Sequence, residues 1–439
     1  MAFGGPPGDG DGPRRYIPPV TGSPPAAPAR RLGTADAVVI GLGSMLGAGV
    51  FAAFAPAARA AGAGLLIALV LAAAVAYCNA TSSARLAALH PESGGTYVYG
   101  RRRLGDFYGY LAGWGFVVGK TASCAAMALT VAAYAAPGAG RGVRTVVAVT
   151  AVAALTAANY RGIHRSALVT RVLVAVALVA LVCVVAACLL GGQARAEHFA
   201  PFPGTGVRGV LEAAGLLFFA FAGYARIATL GEEVRDPRRT IPRAIPVALG
   251  ITFAVYASVA LATLAALGPG RLASATDPLA FAVERGGWSA LAPVVRVGAV
   301  AAALGSLLAL ILGVSRTAFA MARDGHLPAA LAALHPRFQV PHRAELAVGA
   351  VVAAVAASVD LRGAIGFSSF AVLVYYAIAN ASALTLRADE GPPPRAVPVL
   401  GLVGCVVLAV SLPLASVLSG AAVLAVGAAV WALRRGRRN

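Results

Sequence analysis

Two glycine-rich or small-residue runs and one lysine carry the chemistry of this chain. The first run is Gly41-Leu-Gly-Ser-Met-Leu-Gly-Ala-Gly-Val-Phe51, and the second is Phe218-Phe-Ala-Phe-Ala-Gly-Tyr224. Each interrupts a long apolar stretch. A helix broken inside a hydrocarbon layer frees backbone N–H and C=O groups that lipid cannot satisfy, so such breaks persist only where they line a cavity. There the N-terminus of a half-helix offers N–H donors and a partial positive charge, which suits a carboxylate. The opposite end offers carbonyls, which suit an ammonium group or a cation. Together the two breaks suit an α-amino acid. On this reading Gly47, Ala48 and Gly49 bring donors close to a carboxylate, and carbonyls at Met45 and across Phe219, Ala220, Phe221, Ala222 and Gly223 accept from an amino group. A competing reading exists for the first run: Gly43 and Gly47 have the GxxxG spacing of ordinary membrane-helix contacts. The matched interruption in the second run favours binding.

Lys120 is the only lysine in the chain, within Gly119-Lys-Thr-Ala-Ser-Cys124 near the middle of an apolar span. A cation at the centre of a membrane helix costs roughly 2.5–3.5 kcal/mol on insertion scales and marks function by default. Desolvated amines give up their proton more easily than amines in water, which is the chemistry of a proton carrier. Lys120 is therefore a candidate for proton coupling or substrate contact, the alternative being a structural lysine held by carbonyls. Tyr224, Arg226, Glu232 and Glu233 follow the second run and are candidates for a gate. Arg226 suits either an anionic substrate group or a pair with Glu232, Glu233 or Asp36. Phe219, Phe221 and Tyr224 suit either a lid over substrate or plain packing, and Glu212 either a vestibule or an interfacial position.

These residues need a bilayer and many helices to position them. Of 439 residues, 59% are hydrophobic and 12% charged; mean hydropathy is +0.79. That is too little charge to cover a soluble protein of this length. A membrane crossing takes about 20 apolar residues. Twelve candidate spans fall near 36–57, 64–84, 106–136, 143–159, 167–191, 208–230, 241–267, 290–322, 344–360, 363–385, 396–413 and 416–433. The formal charge of +19, from 36 basic and 17 acidic residues, sits mostly in short loops. No aromatic-interleaved basic patch accompanies it, so nucleic acid is not the expected partner. Arginines crowd one set of loops, among them Arg101 to Arg103, Arg235, Arg238, Arg239, Arg243, Arg323 and Arg434, while the alternate loops hold fewer, such as Arg141, Arg144, Arg195 and Arg271. The positive-inside rule then places both termini in the cytoplasm of a multi-pass protein of the cell membrane. Residues 1–33 read as a disordered cytoplasmic tail, 34–433 as one transmembrane domain and 434–439 as a basic cytoplasmic end. The five cysteines lie inside apolar spans without metal-ligand spacing, so neither a disulfide framework, a metal nor a cofactor is expected. A membrane-embedded enzyme would need clustered catalytic groups, and no HExxH, DDxxD, GxSxG or P-loop pattern occurs.

Four segments, in order, resemble the amino acid–polyamine–organocation permeases: Gly43 to Phe51; Pro91-Glu-Ser-Gly-Gly-Thr-Tyr-Val-Tyr99; Phe218 to Tyr224 with Glu232-Glu-Val-Arg-Asp-Pro-Arg-Arg-Thr-Ile-Pro242; and Ser315-Arg316 with Ala322-Arg-Asp-Gly-His-Leu-Pro328. The resemblance runs from residue 36 to about 385. It implies an all-α integral membrane protein of the leucine-transporter-like fold, with two inverted five-helix repeats (36–191 and 208–385) and two additional helices (396–433). It implies alternating access about a site at the membrane midplane, with amino acids or related amines as substrates and often a proton as the coupled ion. Polyamine or inorganic-ion carriage on the same fold is the alternative. One departure bears on coupling. Some proton-coupled members carry a lysine in the fifth helix in place of a sodium ion, and the fifth span here, Val172 to Leu181, has none. A sodium site also looks thinly supplied, because Ser306 is the hydroxyl near the middle of the eighth span.

Overall fold

The computed structural model describes residues 32–436 apart from 91, 93, 163–166 and 229–232. The expected tail at 1–31 and Glu232 lie outside the described residues. The chain is all helical, and the described residues contain no strand beyond a single bridge between Leu32 and Val234. Among the described residues ten helical segments are long and apolar enough to cross a membrane. His342–Ser358 and Ala396–Ser411 are shorter, at 17 and 16 residues, and occupy the places expected of the ninth and eleventh spans.

The spans follow one another with short connections. The first runs through Thr34–Met45, Ala48–Ala52 and Phe54–Ala61, and the second is Leu65–Leu89. Then come Asp106–Ala135, Arg141–Tyr160 and Ala167–Leu190 as third to fifth. The sixth is Val207–Phe221, continued by a 3₁₀ turn at Ala222–Tyr224 and a last turn at Ala225–Ala228. Pro237–Ser274, Ala292–Arg323, His342–Ser358 and Leu361–Leu384 are the seventh to tenth, followed by Ala396–Ser411 and Leu414–Gly436. The seventh is longer than its apolar core suggests. It opens at Pro237, a residue suited to the first helical turn, and merges past Gly268, whose φ of 71° is non-helical, into a final turn.

Cross-connections sort the ends of these spans onto two faces. Leu32 exchanges backbone hydrogen bonds with Glu233 and Arg235 (3.2 and 2.9 Å). Asp36 accepts from Arg171 at the start of the fifth span (2.6 Å), and Arg434 donates to the Gly325 carbonyl (3.2 Å). Both ends of the described chain therefore share a face with the connections that follow the even-numbered spans. On the opposite face Arg59 donates to Ala273 O (3.0 Å), and Glu212 pairs with Arg362. The arginine-rich loops all fall on the face that carries the termini.

Lipid tails are as apolar as leucine, so membrane helices associate through close packing and interhelical hydrogen bonds. The third and tenth spans show both. A Cβ on Gly119 would come within 2.8 Å of Ala371 Cβ, and the Ser123 and Ser368 hydroxyls are 2.6 Å apart. Asn380 ties the tenth span to the second, donating to Asn79 Oδ1 (2.6 Å) and accepting from Ser82 (2.7 Å).

Candidate functional site

The first break is a genuine interruption. Leu46 closes the leading half-helix, and Gly47 (φ −72°, ψ −128°) turns the chain before Ala48 opens the next. Ala53 keeps helical angles, so 48–61 continues in one direction as a half-helix. The second break is milder than expected. The sixth span tightens to 3₁₀ over Ala222–Tyr224 without leaving the helical region. A change of helix type still frees carbonyls from the regular ladder, and side chains from other spans claim two of them.

Glycine lets the breaks lie against one another and against the eighth span. A Cβ on Gly47 would sit 1.9 Å from Ser306 Oγ, one on Gly49 2.6 Å from Ala220 Cα, and one on Gly223 2.4 Å from Ser44 O. In the last two cases the obstruction is backbone, which cannot swing away. Ser306 donates to Gly43 O (3.3 Å). The segments predicted to bind substrate, Met45 to Gly49 and Phe219 to Gly223, are thus brought together although Gly49 and Phe219 are 170 positions apart in sequence.

Three further side chains bind the carbonyls at the breaks. Tyr256, in the seventh span, directs its hydroxyl at both Met45 O and Ala220 O, the latter at 3.1 Å. One hydroxyl proton cannot satisfy two carbonyls fully. Lys120 Nζ lies 3.5 Å from Ala222 O, and Tyr376 Oη lies 3.5 Å from the same atom. Lys120 is buried, so it meets the break rather than reaching for the membrane surface. Sequence reasoning found the lysine and missed both tyrosines. Phe221 packs edge-on against Tyr256 (5.2 Å between centroids), and Tyr224 lies against Tyr376 (5.1 Å).

The expected gate residues separate. Tyr224 is buried beside the break. Arg226 lies 3.8 Å from Glu233, both half exposed, on the face of the termini. Asp36 is paired with Arg171 instead. Glu212 pairs with Arg362 on the opposite face.

That opposite face holds a cavity of about 320 Å³. Its floor includes Phe51 and Tyr134, whose rings meet edge-on at 5.7 Å; the Tyr134 hydroxyl donates to Phe51 O (3.0 Å) and accepts from Leu279 N (3.3 Å). None of residues 45–49 or 219–223 lines it. Phe51 links this vestibule to the first break, since it lies in the short helix Ala48–Ala52 that opens after Gly47. Among the described residues no group of three or more His, Cys, Asp or Glu could hold a metal ion.

Comparison with known proteins adds the chemical context. A family model described as amino acid permease matches residues 32–433. An uncharacterized transporter of Mycobacterium tuberculosis is 69% identical over 406 residues, which cover 92% of this chain and 91% of that protein. A branched-chain amino acid permease of Bacillus subtilis is 27% identical, over 87% of this chain and 88% of that one. A methylthioribose transporter of the same bacterium is 29% identical, over 92% and 93%.

Proposed function

We propose a carrier mechanism from one premise: the chain belongs to the amino acid permease family. It is a multi-pass membrane transporter, and the proposal concerns its cargo, its coupling and its orientation. The cargo is an amino acid or related amine, carried across the cytoplasmic membrane by alternating access with both termini in the cytoplasm. The observation that supports this is the convergence of the two breaks. Backbone donors at Gly47, Ala48 and Gly49 take the carboxylate, and carbonyls at Met45, Ala220 and Ala222 take the amino group.

The tight glycine contacts describe how the carrier closes. For substrate to enter, the first and sixth spans part; when they close, glycine lets backbone meet backbone. Units 36–191 and 208–385 are the two inverted repeats that rock about this point, with 396–433 outside them. Arg226 and Glu233 pair on the cytoplasmic side, where they hold the closed gate.

Lys120 supplies the coupling. Its ammonium lies against Ala222 O, one of the carbonyls that a substrate ammonium would use. Two cations competing for one acceptor repel each other in a low dielectric. Substrate binding therefore expels the lysine proton, and substrate release restores it. The Lys120→Ala variant should take up substrate at a rate that no longer responds to a pH gradient; a variant with wild-type rate and wild-type pH response would remove Lys120 from the mechanism.

The test of the reading as a whole is uptake into proteoliposomes. A mixture of labelled amino acids is supplied with and without an outward proton gradient, the lumen being the more acidic side, because a carrier that sheds its proton on binding substrate exchanges one for the other. Accumulation of one or a few of them, increased by the gradient, is the expected result. A second reading, carriage of a solute that is not an amino acid, is favoured by the likeness to the methylthioribose transporter. Absence of uptake of every amino acid, with polyamine, ion or thiosugar uptake instead, would establish it.

A further inference from the structure

The vestibule carries an unbalanced charge. Four arginines line it, Arg59, Arg141, Arg144 and Arg362, against one carboxylate, Asp360. Arg362 is already neutralised by Glu212. Among the described residues, Arg59 and Arg141 meet only backbone carbonyls, those of Ala273 (3.0 Å) and Ser358 (3.5 Å). Arg144 has no partner among the described residues, and Asp360 is spent capping its own helix, accepting from Gly363 N (2.9 Å). Of the neighbouring acids, Asp277 and Glu284 are both held by Arg296, which does not line the cavity. Three guanidinium groups therefore line a concave space against the single carboxylate of Asp360, which pairs with none of them among the described residues.

Guanidinium is the donor group best matched to a carboxylate, with parallel N–H bonds in a fixed fork. A cleft lined by one sign of charge also concentrates the opposite sign and raises its rate of entry. The volume, about 320 Å³, is within the range of small-molecule sites. None of residues 45–49 or 219–223 lines it, so a solute held here does not touch the breaks.

We propose that this vestibule is a capture site for the carboxylate of the incoming substrate, and that its arginines restrict the cargo to neutral and acidic amino acids, excluding the cationic ones. This deepens the permease reading and rests on it. A zwitterion or an anion presents its carboxylate to Arg144 and Arg59. A side-chain ammonium or guanidinium on the substrate would meet the same field with the wrong sign.

The experiment compares wild type with Arg144→Gln and with Arg59→Gln/Arg144→Gln in proteoliposomes, at low and raised choline chloride. Wild-type KM for the transported amino acid should rise about three- to tenfold with salt, since screening weakens exposed charges beyond a Debye length. The variants should show a KM raised by a similar factor at low salt, an unchanged maximal rate and little further response to salt. Lysine and arginine in tenfold excess should not compete. Unchanged KM in both variants, or competition by lysine equal to that by leucine, would overturn the proposal. Equilibrium dialysis of labelled glutamate and leucine against the protein in nanodiscs reads the same site without transport. Binding that Arg144→Gln weakens upholds the vestibule even if no amino acid is taken up, in which case the permease reading alone fails. No binding of either ligand to wild type sinks the vestibule itself.

Discussion

At the scale of single residues, the site depends on which atoms are missing as much as on which are present. Gly47 has Ser306 Oγ where a Cβ would go, whereas Gly250 in the seventh span has open space. Gly47→Ala should cost about 1–3 kcal/mol through overpacking and lower transport, while Gly250→Ala should leave both unchanged; thermal melts and uptake of the two variants measure the difference. Tyr256→Phe keeps the ring against Phe54 and Phe221 and removes only the hydroxyl that meets Met45 O and Ala220 O. Leaving buried carbonyls unpaired costs about 1–3 kcal/mol, so the melting temperature should fall. If the carbonyls freed in this way bind substrate more readily, KM should fall as well, and an unchanged melt would show that the clamp is idle. Lys120 was legible in the sequence because a lysine is rare in an apolar run, and the glycines because they cluster at matching places in two spans. Tyr256 and Tyr376 were not. Their partners are backbone carbonyls far away in sequence, and one tyrosine in an apolar helix sets no period.

At the scale of elements, the connections explain why two of the motif segments stand where they do. The short helix Thr96–Arg103, which the hydropathy pattern did not separate from its loop, docks on the end of the eighth span. Tyr97 Oη meets Asp324 (2.6 Å) and His326 Nδ1 (2.9 Å), and Arg101 bridges Asp324 (2.7 Å) and Asp106 (3.2 Å). Two segments that look like isolated motifs in the sequence are halves of one joint. Burial is the largest influence on His326 and holds its imidazole below the usual value, against the opposing pull of Asp106 at 3.4 Å and with the repulsion of Arg101 added. The folded state therefore binds this proton less readily than the unfolded state. Stability from this joint is complete above about pH 6.5 and is lost as pH falls toward the folded value. Acidification from pH 7.5 to 5.5 should lower the melting temperature of the wild type more than that of His326→Gln; equal slopes would remove His326 from the joint. The order of the long spans was readable because each needs its own apolar run, whereas the expected ninth and eleventh are helices of only 17 and 16 residues. Their ends were not, since residues such as Pro237 and His342 are fixed by capping and by neighbouring helices rather than by hydropathy.

At the scale of the whole molecule, the two faces differ in charge and in task. The face of the termini gathers the arginine-rich loops, which is why we propose, by the positive-inside rule, that it faces the cytoplasm. Reporter fusions at residue 436 and in the connection at residues 191–206 should report opposite sides, the former cytoplasmic; the same side for both would break the topology. The other face holds the arginine-lined vestibule, with Phe51 and Tyr134 in its lining and none of residues 45–49 or 219–223. The family and the all-helical fold could be read from ordered motifs and hydropathy. The vestibule could not, because Arg59, Arg141 with Arg144, and Arg362 come from three different spans, the first, fourth and tenth, and converge only when the helices pack. The central claim is that substrate binds between the breaks of the first and sixth spans, and its most direct measurement is a cryo-EM structure in nanodiscs with the transported amino acid. The account predicts density between residues 45–49 and 219–223, with the carboxylate at the Gly47–Gly49 amides and the amino group at the Ala220 and Ala222 carbonyls. Substrate density elsewhere, with Gly49 still against Ala220 and Gly223 still against Ser44, would contradict it.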